Sequence, residues 1–282
     1  MTILVAGATG NVGRYVVKHL VESGHQVRAL SRHPEKADLP SGVEVVAGNL
    51  SDPDSLIPAL EGVTALHLIN FDGTEGYTPL TTGAEIISLA AKAGVKRVTV
   101  LRGGDKGTVE NALEASDLEW TFIQPVEFMS GVFDWIESIR DEGIVRAPFA
   151  SVRSAMVHDS DIGAVIAAVL TQDGHAGKTY TLTGPQAMTI PQKVAAISDA
   201  LGRDIKYFEL SEQEARDDWR QQGLPDEVIE FFVMAHGNPP AQAYTVLPTI
   251  EQITGRPPLT LQDFVRDHAA RYSSSSHVRA GS

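Results

Sequence analysis

The first fifteen residues constrain this chain most. Thr2 to Ala6 is a short apolar run, and Gly7-Ala8-Thr9-Gly10-Asn11-Val12-Gly13 follows it directly. A helical pattern comes next, with Val12, Val16, Leu20 and Val21 on one face and Ser23-Gly24 at its end. A buried strand, a glycine turn and a helix N-terminus in succession form a receptor for the diphosphate of a dinucleotide. The glycines let the backbone turn tightly and let phosphate oxygens approach, and the free N–H groups at the positive end of the helix dipole bind the anion. The spacing is G-x-x-G-x-x-G, and its strand-to-helix setting makes it informative. The second strand, Gln26 to Leu30, ends in Ser31-Arg32. Asp or Glu at that point holds the ribose hydroxyls of NAD, whereas Arg32 suits a 2′-phosphate. NADP(H) is therefore expected, with NAD(H) second.

At 282 residues the chain has room for one large core, or for one domain with a smaller lobe. The first apolar run is too short for a signal peptide, and no run is long enough to span a membrane. The absence of cysteine removes disulfides, thiolate nucleophiles and cysteine metal sites, and fits a reducing, cytoplasmic setting. The formal charge of −13, with no basic cluster, argues against nucleic acid as a partner. A small-molecule substrate is expected, no membrane partner, and a homodimer or a protein partner stays open.

Strand and helix patterns alternate through the first half, the signature of a doubly wound parallel α/β sheet. Strands are expected at Val43–Ala47, Ala65–Asn70, Val98–Leu101 and Trp120–Ile123, with helices at Ser55–Leu60, Thr82–Ala93 and Val109–Ala115 between them. The pattern then loosens. Phe128, Met129, Val132, Phe133, Trp135 and Ile136 form an apolar cluster of mixed period. It reads as a loop and helix over the carboxyl ends of the strands, where such sheets bind ligands, or as ordinary core under a surface helix. Asp159-Ser160-Asp161 caps a helix over Ile162–Leu170, Lys178–Thr183 returns as a strand, and Pro191–Leu201 is a helix. The last third reads as helical, with a capping box at Ser211–Glu214 and a final helix from Thr260 to about Tyr272. The expected division is 1–125 plus 151–183 for the nucleotide domain and 126–150 plus 184–272 for a small, mostly helical substrate lobe. Residues 273–282 read as a disordered tail.

Gly7–Gly13 and Val27-Arg28-Ala29-Leu30-Ser31-Arg32 resemble the NmrA-like branch of the atypical short-chain dehydrogenase/reductases. Ser116–Thr121, Tyr180–Pro185 and Thr254-Gly255-Arg256-Pro257-Pro258 resemble later segments of that family, and the similarity runs over about residues 1–272. The resemblance implies a Rossmann fold with a small C-terminal lobe and a preference for NADP(H). It places Thr9, Asn11 and Val12 at the diphosphate, Arg32 at the 2′-phosphate, Asn49 and Leu50 at the adenine, and Asn70 and Phe71 along the ribose and nicotinamide. Three segments depart from the family pattern. Gly48-Asn49-Leu50 replaces Gly-Asp-Leu, Gln124-Pro125 replaces Arg-Pro, and Arg102-Gly103-Gly104 stands where many relatives have serines.

The Tyr-x-x-x-Lys pair that serves dehydrogenases of this superfamily is missing. Tyr15 precedes Lys18 by three, and no other tyrosine has a lysine four residues on. The remaining candidates for catalysis are Arg102 and Lys106 after the fifth strand, and Glu127 after the sixth. Arg102 would hold an anionic oxygen, Lys106 would protonate a carbonyl, and Glu127 would serve as acid or base; each also reads as a solvated or paired charge. His158 and His236 are weaker candidates. Phe128, Met129, Phe133 and Trp135 are the expected substrate walls. The nine histidines have no metal-ligand spacing, and no nucleophile elbow is present, so no metal is expected. The sequence supports an NADPH-dependent reductase of a small apolar carbonyl, quinone or enone. A non-catalytic redox sensor, or an isomerase or cyclase keeping the same cofactor, are the alternatives.

Overall fold

The computed structural model describes residues 1–73 and 78–273. The chain opens with β1 (Thr2–Val5), α1 (Gly13–Glu22), β2 (Gln26–Ser31), β3 (Glu44–Ala47), α2 (Ile57–Leu60) and β4 (Ala65–Ile69). Then come α3 (Gly83–Lys92), β5 (Arg97–Leu101), α4 (Thr108–Glu114), β6 (Glu119–Pro125), α5 (Ile136–Glu142), β7 (Ile144–Pro148) and β8 (Arg153–Ser154). α6 (Asp159–Thr171), β9 (Lys178–Leu182), β10 (Met188–Thr189), α7 (Ile190–Leu201) and β11 (Lys206–Leu210) follow. The chain closes through α8 (Glu212–Gln221), α9 (Asp226–Gly237), α10 (Thr249–Thr254) and α11 (Leu261–Asp267).

The first compact unit comprises Met1–Pro125, Asp159–Leu182 and Pro248–Pro257. Its sheet is parallel throughout, in the order β3-β2-β1-β4-β5-β6-β9. β1 and β4 are central and almost wholly buried, as expected of strands covered on both faces. α1 buries Val16, Val17 and Leu20, and packs on α6 so closely that a Cβ on Gly163 would lie 2.6 Å from the Tyr15 Cβ. Asp159 and Asp161 lie inside the first turn of α6 rather than ahead of it, both buried. Asp161 is paired with Arg256 at 2.7 Å, so these acids complement the helix dipole from within. Within the sheet, the His67 Nδ1 lies 2.8 Å from the Thr99 hydroxyl, and full burial pushes the imidazole pKa down to about 3.

The second unit comprises Val126–His158, Thr183–Leu247 and Pro258–Ser282. The expected lobe boundaries differ at three places: residues 151–158 and Thr183 lie in this unit, and residues 248–257 lie in the first. The unit is helical in its C-terminal part but also carries two small sheets, a parallel β7–β11 pair and an antiparallel β8–β10 pair. Neither sheet is expected from the sequence pattern. Its core joins Met129, Val132, Ile136, Ile139, Val145, Val194, Ile197, Leu261 and Phe264. The expected final helix is shorter than its pattern. α11 ends at Asp267, and a separate turn, Ala269–Tyr272, carries a fully buried Tyr272. The serine-rich tail lies outside the described residues apart from Ser273.

Candidate active site

Gly7 leaves β1 with φ +65°, a conformation that favours glycine, and its carbonyl accepts the Gly10 N–H at 2.9 Å. A Cβ on Gly13 would lie 2.0 Å from the Gly7 oxygen, so the first residue of α1 touches the turn that precedes it. The cap residue Val12 offers no side-chain hydrogen bond, and the first turn of α1 holds no acid. Among the described residues the Asn11 and Val12 N–H groups donate to no protein acceptor. Main-chain donors at a helix start, with no side chain to occupy them, fit a diphosphate. Arg14, absent from the sequence reading, folds back on this turn: its Nε and Nη2 donate to the Gly10 and Thr9 carbonyls at 3.2 and 3.1 Å.

Arg32 is exposed at the end of β2, and its Nη2 donates to the Gly73 carbonyl at 2.7 Å. That bond holds the guanidinium beside the turn after β4. The Asn49 Oδ1 accepts the Ser51 N–H at 3.0 Å, and the Leu50 carbonyl accepts the Thr82 hydroxyl at 2.7 Å, so the turn after β3 is fixed internally. Phe71 is half-buried and bridges to Pro79.

Asn70 is differently engaged. Its Nδ2 donates to the Gly103 carbonyl at 3.0 Å and to the Glu110 Oε1 at 2.9 Å, while its Oδ1 accepts the Gly103 N–H at 3.3 Å. The side-chain amide is therefore committed to a clamp between the ends of β4 and β5. Glu110 completes it from α4, fully buried, with its Oε2 accepting the Gly107 N–H at 2.9 Å. In the local sequence Glu110 is one polar position in a short helix, and nothing beside it signals this burial.

The three catalytic candidates separate. Lys106 is exposed and ion-paired with Glu114, so its ammonium is already engaged. Glu127 lies in the second unit and is gripped by Lys193, whose Nζ donates to both carboxylate oxygens at 3.1 and 3.0 Å. Of the two readings of Glu127, an acid or base and a paired charge, the geometry shows the pairing, with Lys193 rather than Arg102 as the partner. Lys193 is 5 % exposed, on the inward face of α7 beside Val194 and Ile197. Arg102 is the exception. Its Nη2 donates to the Gly104 carbonyl at 3.2 Å, but its Nε is buried and has no hydrogen-bond partner.

The four expected wall residues are packed into the second unit. Met129 is 1 % exposed and belongs to the core. Phe133 packs on that core, its ring 5.2 Å from the Phe264 ring and capped by the Arg271 guanidinium at 3.8 Å. Trp135 also packs against it, and Phe128 is half-buried where its backbone bridges to Val157. His158 is fully buried with its ring edge-on to Phe264 at 5.1 Å, a core position. Near the end of α9, burial lowers the His236 pKa below its ordinary value, against the nearby Glu127 and Asp134 carboxylates. Among the described residues no group of three or more acids and histidines could hold a metal.

A glycine turn between the first strand and first helix of a seven-stranded parallel sheet defines a Rossmann-type protein. The chain belongs to the NAD(P)H-binding family, whose model matches residues 7–108. It is 34 % identical over 285 residues to the (4-alkanoyl-5-oxo-2,5-dihydrofuran-3-yl)methyl phosphate reductase of Streptomyces griseus, spanning 96 % of this chain and 99 % of that protein. It is 31 % identical to the NAD(P)H azoreductase of Xenophilus azovorans over 97 % of this chain and 100 % of that one. In structure it is similar to the NADPH-dependent quinone oxidoreductase of Escherichia coli complexed with NADPH. There the TM-score is 0.79 and the identity 25 %, over 95 % of this chain and 99 % of that one. Among the described residues no helix is long and apolar enough to cross a membrane.

Proposed function

We propose that the chain is an NADPH-dependent reductase of the NmrA-like branch, acting on a small, largely apolar carbonyl, quinone or enone. The observation that carries this reading is the bare turn and helix start at Gly7–Gly13, in a chain whose relatives named above are reductases of quinone, azo and oxo-dihydrofuran compounds. In the proposed assignment the amides of Asn11 and Val12, at the turn lined by Thr9, hold the diphosphate and Arg32 holds the 2′-phosphate. Asn49 and Leu50 flank the adenine, while Phe71 and the Asn70 clamp shape the rim along the ribose. The bound nucleotide supplies a hydride from its nicotinamide. Phe128, Phe133 and Trp135, each half-buried, are the apolar walls assigned to the acceptor, while Met129 is a core residue and leaves the expected set. Lys106 and Glu127 are committed to ion pairs, and neither is assigned a proton transfer. The experiment is to follow NADPH absorbance with a panel of quinones, enones and aldehydes. Nucleotide oxidation that depends on acceptor and enzyme supports the reductase. Tight NADPH binding without oxidation across the panel would leave a protein that senses the nucleotide.

A further inference from the structure

Among the described residues Arg102 is the one cationic side chain with a buried nitrogen that has no hydrogen-bond partner. It follows β5 directly, and its main-chain N–H still belongs to the ladder, donating to the Ile123 carbonyl at 2.8 Å. Among the described residues nothing lies within 4 Å of where a Cβ on Gly103 or Gly104 would stand, so these residues leave the rim beside Arg102 uncovered. The rim is also held still, because Asn70 binds both polar atoms of the Gly103 backbone and Glu110 anchors Asn70. The guanidinium bends over this turn to the Gly104 carbonyl, while its Nε–H is buried without an acceptor. Among the described residues no carboxylate pairs with it, in a chain of net charge −13. A buried donor left unmade costs about 1–3 kcal/mol, and a planar guanidinium is shaped for two oxygens of an anion.

We propose that Arg102 is a specificity residue that binds an anionic group, a phosphate, sulfonate or carboxylate, carried by the acceptor. The nucleotide's own diphosphate is the competing source of that chemistry, and sheet geometry disfavours it. The diphosphate turn stands at the end of β1, and β4 lies between β1 and β5. Two strand spacings separate the Gly7 turn from Arg102, about 10 Å. In the proposed assignment the main-chain amides at Asn11 and Val12 serve the diphosphate. The acceptor proposed above is then an apolar molecule with one anionic substituent, so this inference rests on the reductase reading for the ligand's use but not for its binding.

The test uses the full chain loaded with NADP⁺ and two kinds of probe. Phenyl phosphate binding is measured by calorimetry with wild type and Arg102→Met, and NADPH affinity is measured on the same proteins by fluorescence. Separately, turnover is compared between 2-methyl-1,4-naphthoquinone, which is neutral, and 1,2-naphthoquinone-4-sulfonate. The expected result is a roughly 10- to 100-fold loss of phenyl phosphate affinity in Arg102→Met. A similar rise in KM for the sulfonated quinone alone is expected, with NADPH affinity unchanged. Arg102→Lys should restore part of the phosphate affinity, since it keeps the charge but loses the fork. Should Arg102→Met fail to fold, Arg102→Gln takes its place, with melting temperature as the check. Equal phenyl phosphate binding in wild type and variant, or none in wild type, overturns the proposal. Loss of NADPH affinity parallel to that of the probe reassigns Arg102 to the nucleotide and also overturns it. If neither quinone is reduced, the reductase reading fails while the calorimetry still decides the anion site.

Discussion

The two rims at the head of the sheet are built in opposite ways. At the end of β1 the receptor is main chain: glycines, bare amides and a helix start, with Gly13 pressed against the Gly7 carbonyl. At the ends of β4 and β5 it is side chain, with Asn70, Glu110 and Arg102 holding and furnishing one glycine turn. A main-chain receptor recognises what every dinucleotide shares. A side-chain receptor can change with each acceptor, at the cost of needing several residues to cooperate.

The same contrast explains what could be read from the sequence. Glycine spacing is a local steric requirement, so the turn at Gly7–Gly13 is visible in seven consecutive residues. The β4–β5 rim is assembled from positions 70, 102, 103 and 110, and no short window contains it. The fold divides in the same way. β1, β4 and β5 are largely buried and read as mostly apolar runs, interrupted only by the paired His67 and Thr99 and by Arg97 at the start of β5. β11, Lys206-Tyr207-Phe208-Glu209-Leu210, is largely exposed and has no period, and β8 and β10 are two residues each. Lys193 was hidden for another reason: a lysine on an apolar helix face reads as solvated, and only its distant partner Glu127 explains its burial.

The largest effect should come from the main-chain rim. Gly13→Ala puts a methyl group into the Gly7 carbonyl, a contact with backbone that no rotamer relieves. NADPH binding is expected to fall below detection in a fluorescence titration, with a drop in melting temperature. Gly10→Ala, whose Cβ would stand 3.2 Å from the same oxygen, should retain measurable binding. If the two variants bind alike, the turn is not a rigid main-chain receptor.

Acid tests the sheet on which both rims stand. His67 has a folded pKa of about 3 against 6.5 in the unfolded chain. The unfolded chain therefore gains a proton first as pH falls, and the stability of the fold is full above pH 6.5 and lost progressively towards pH 3. The slope from this residue is about 1.4 kcal/mol per pH unit, or about 2 kcal/mol by pH 5. Urea melts of wild type and His67→Gln over pH 7 to 4.5 should show a shallower slope in the variant. Parallel slopes would remove His67 from the acid response.

Next is the side-chain rim. Glu110→Gln must turn an amide N–H₂ towards either the Asn70 Nδ2 or the Gly107 N–H, setting two donors face to face in a buried site. The expected loss of stability is about 1–3 kcal/mol by urea denaturation. NADPH affinity should change far less than in Gly13→Ala. Equal damage to nucleotide binding would mean that the two rims are one receptor.

The smallest effect is also the most selective. Arg32 is exposed, so a bond from its guanidinium to a 2′-phosphate is screened by solvent and salt. Arg32→Ala should weaken NADPH by about 1–1.5 kcal/mol and leave NADH nearly unchanged, because NADH has no group for it to meet. The ratio of the two dissociation constants is the quantity to measure, since it cancels any general disturbance of the main-chain rim. Raising ionic strength should shrink that ratio in wild type and not in the variant. A ratio that Arg32→Ala leaves untouched would move recognition of the 2′-phosphate to another side chain, and Arg14, already folded over the Thr9 and Gly10 carbonyls, is the nearest alternative on this turn.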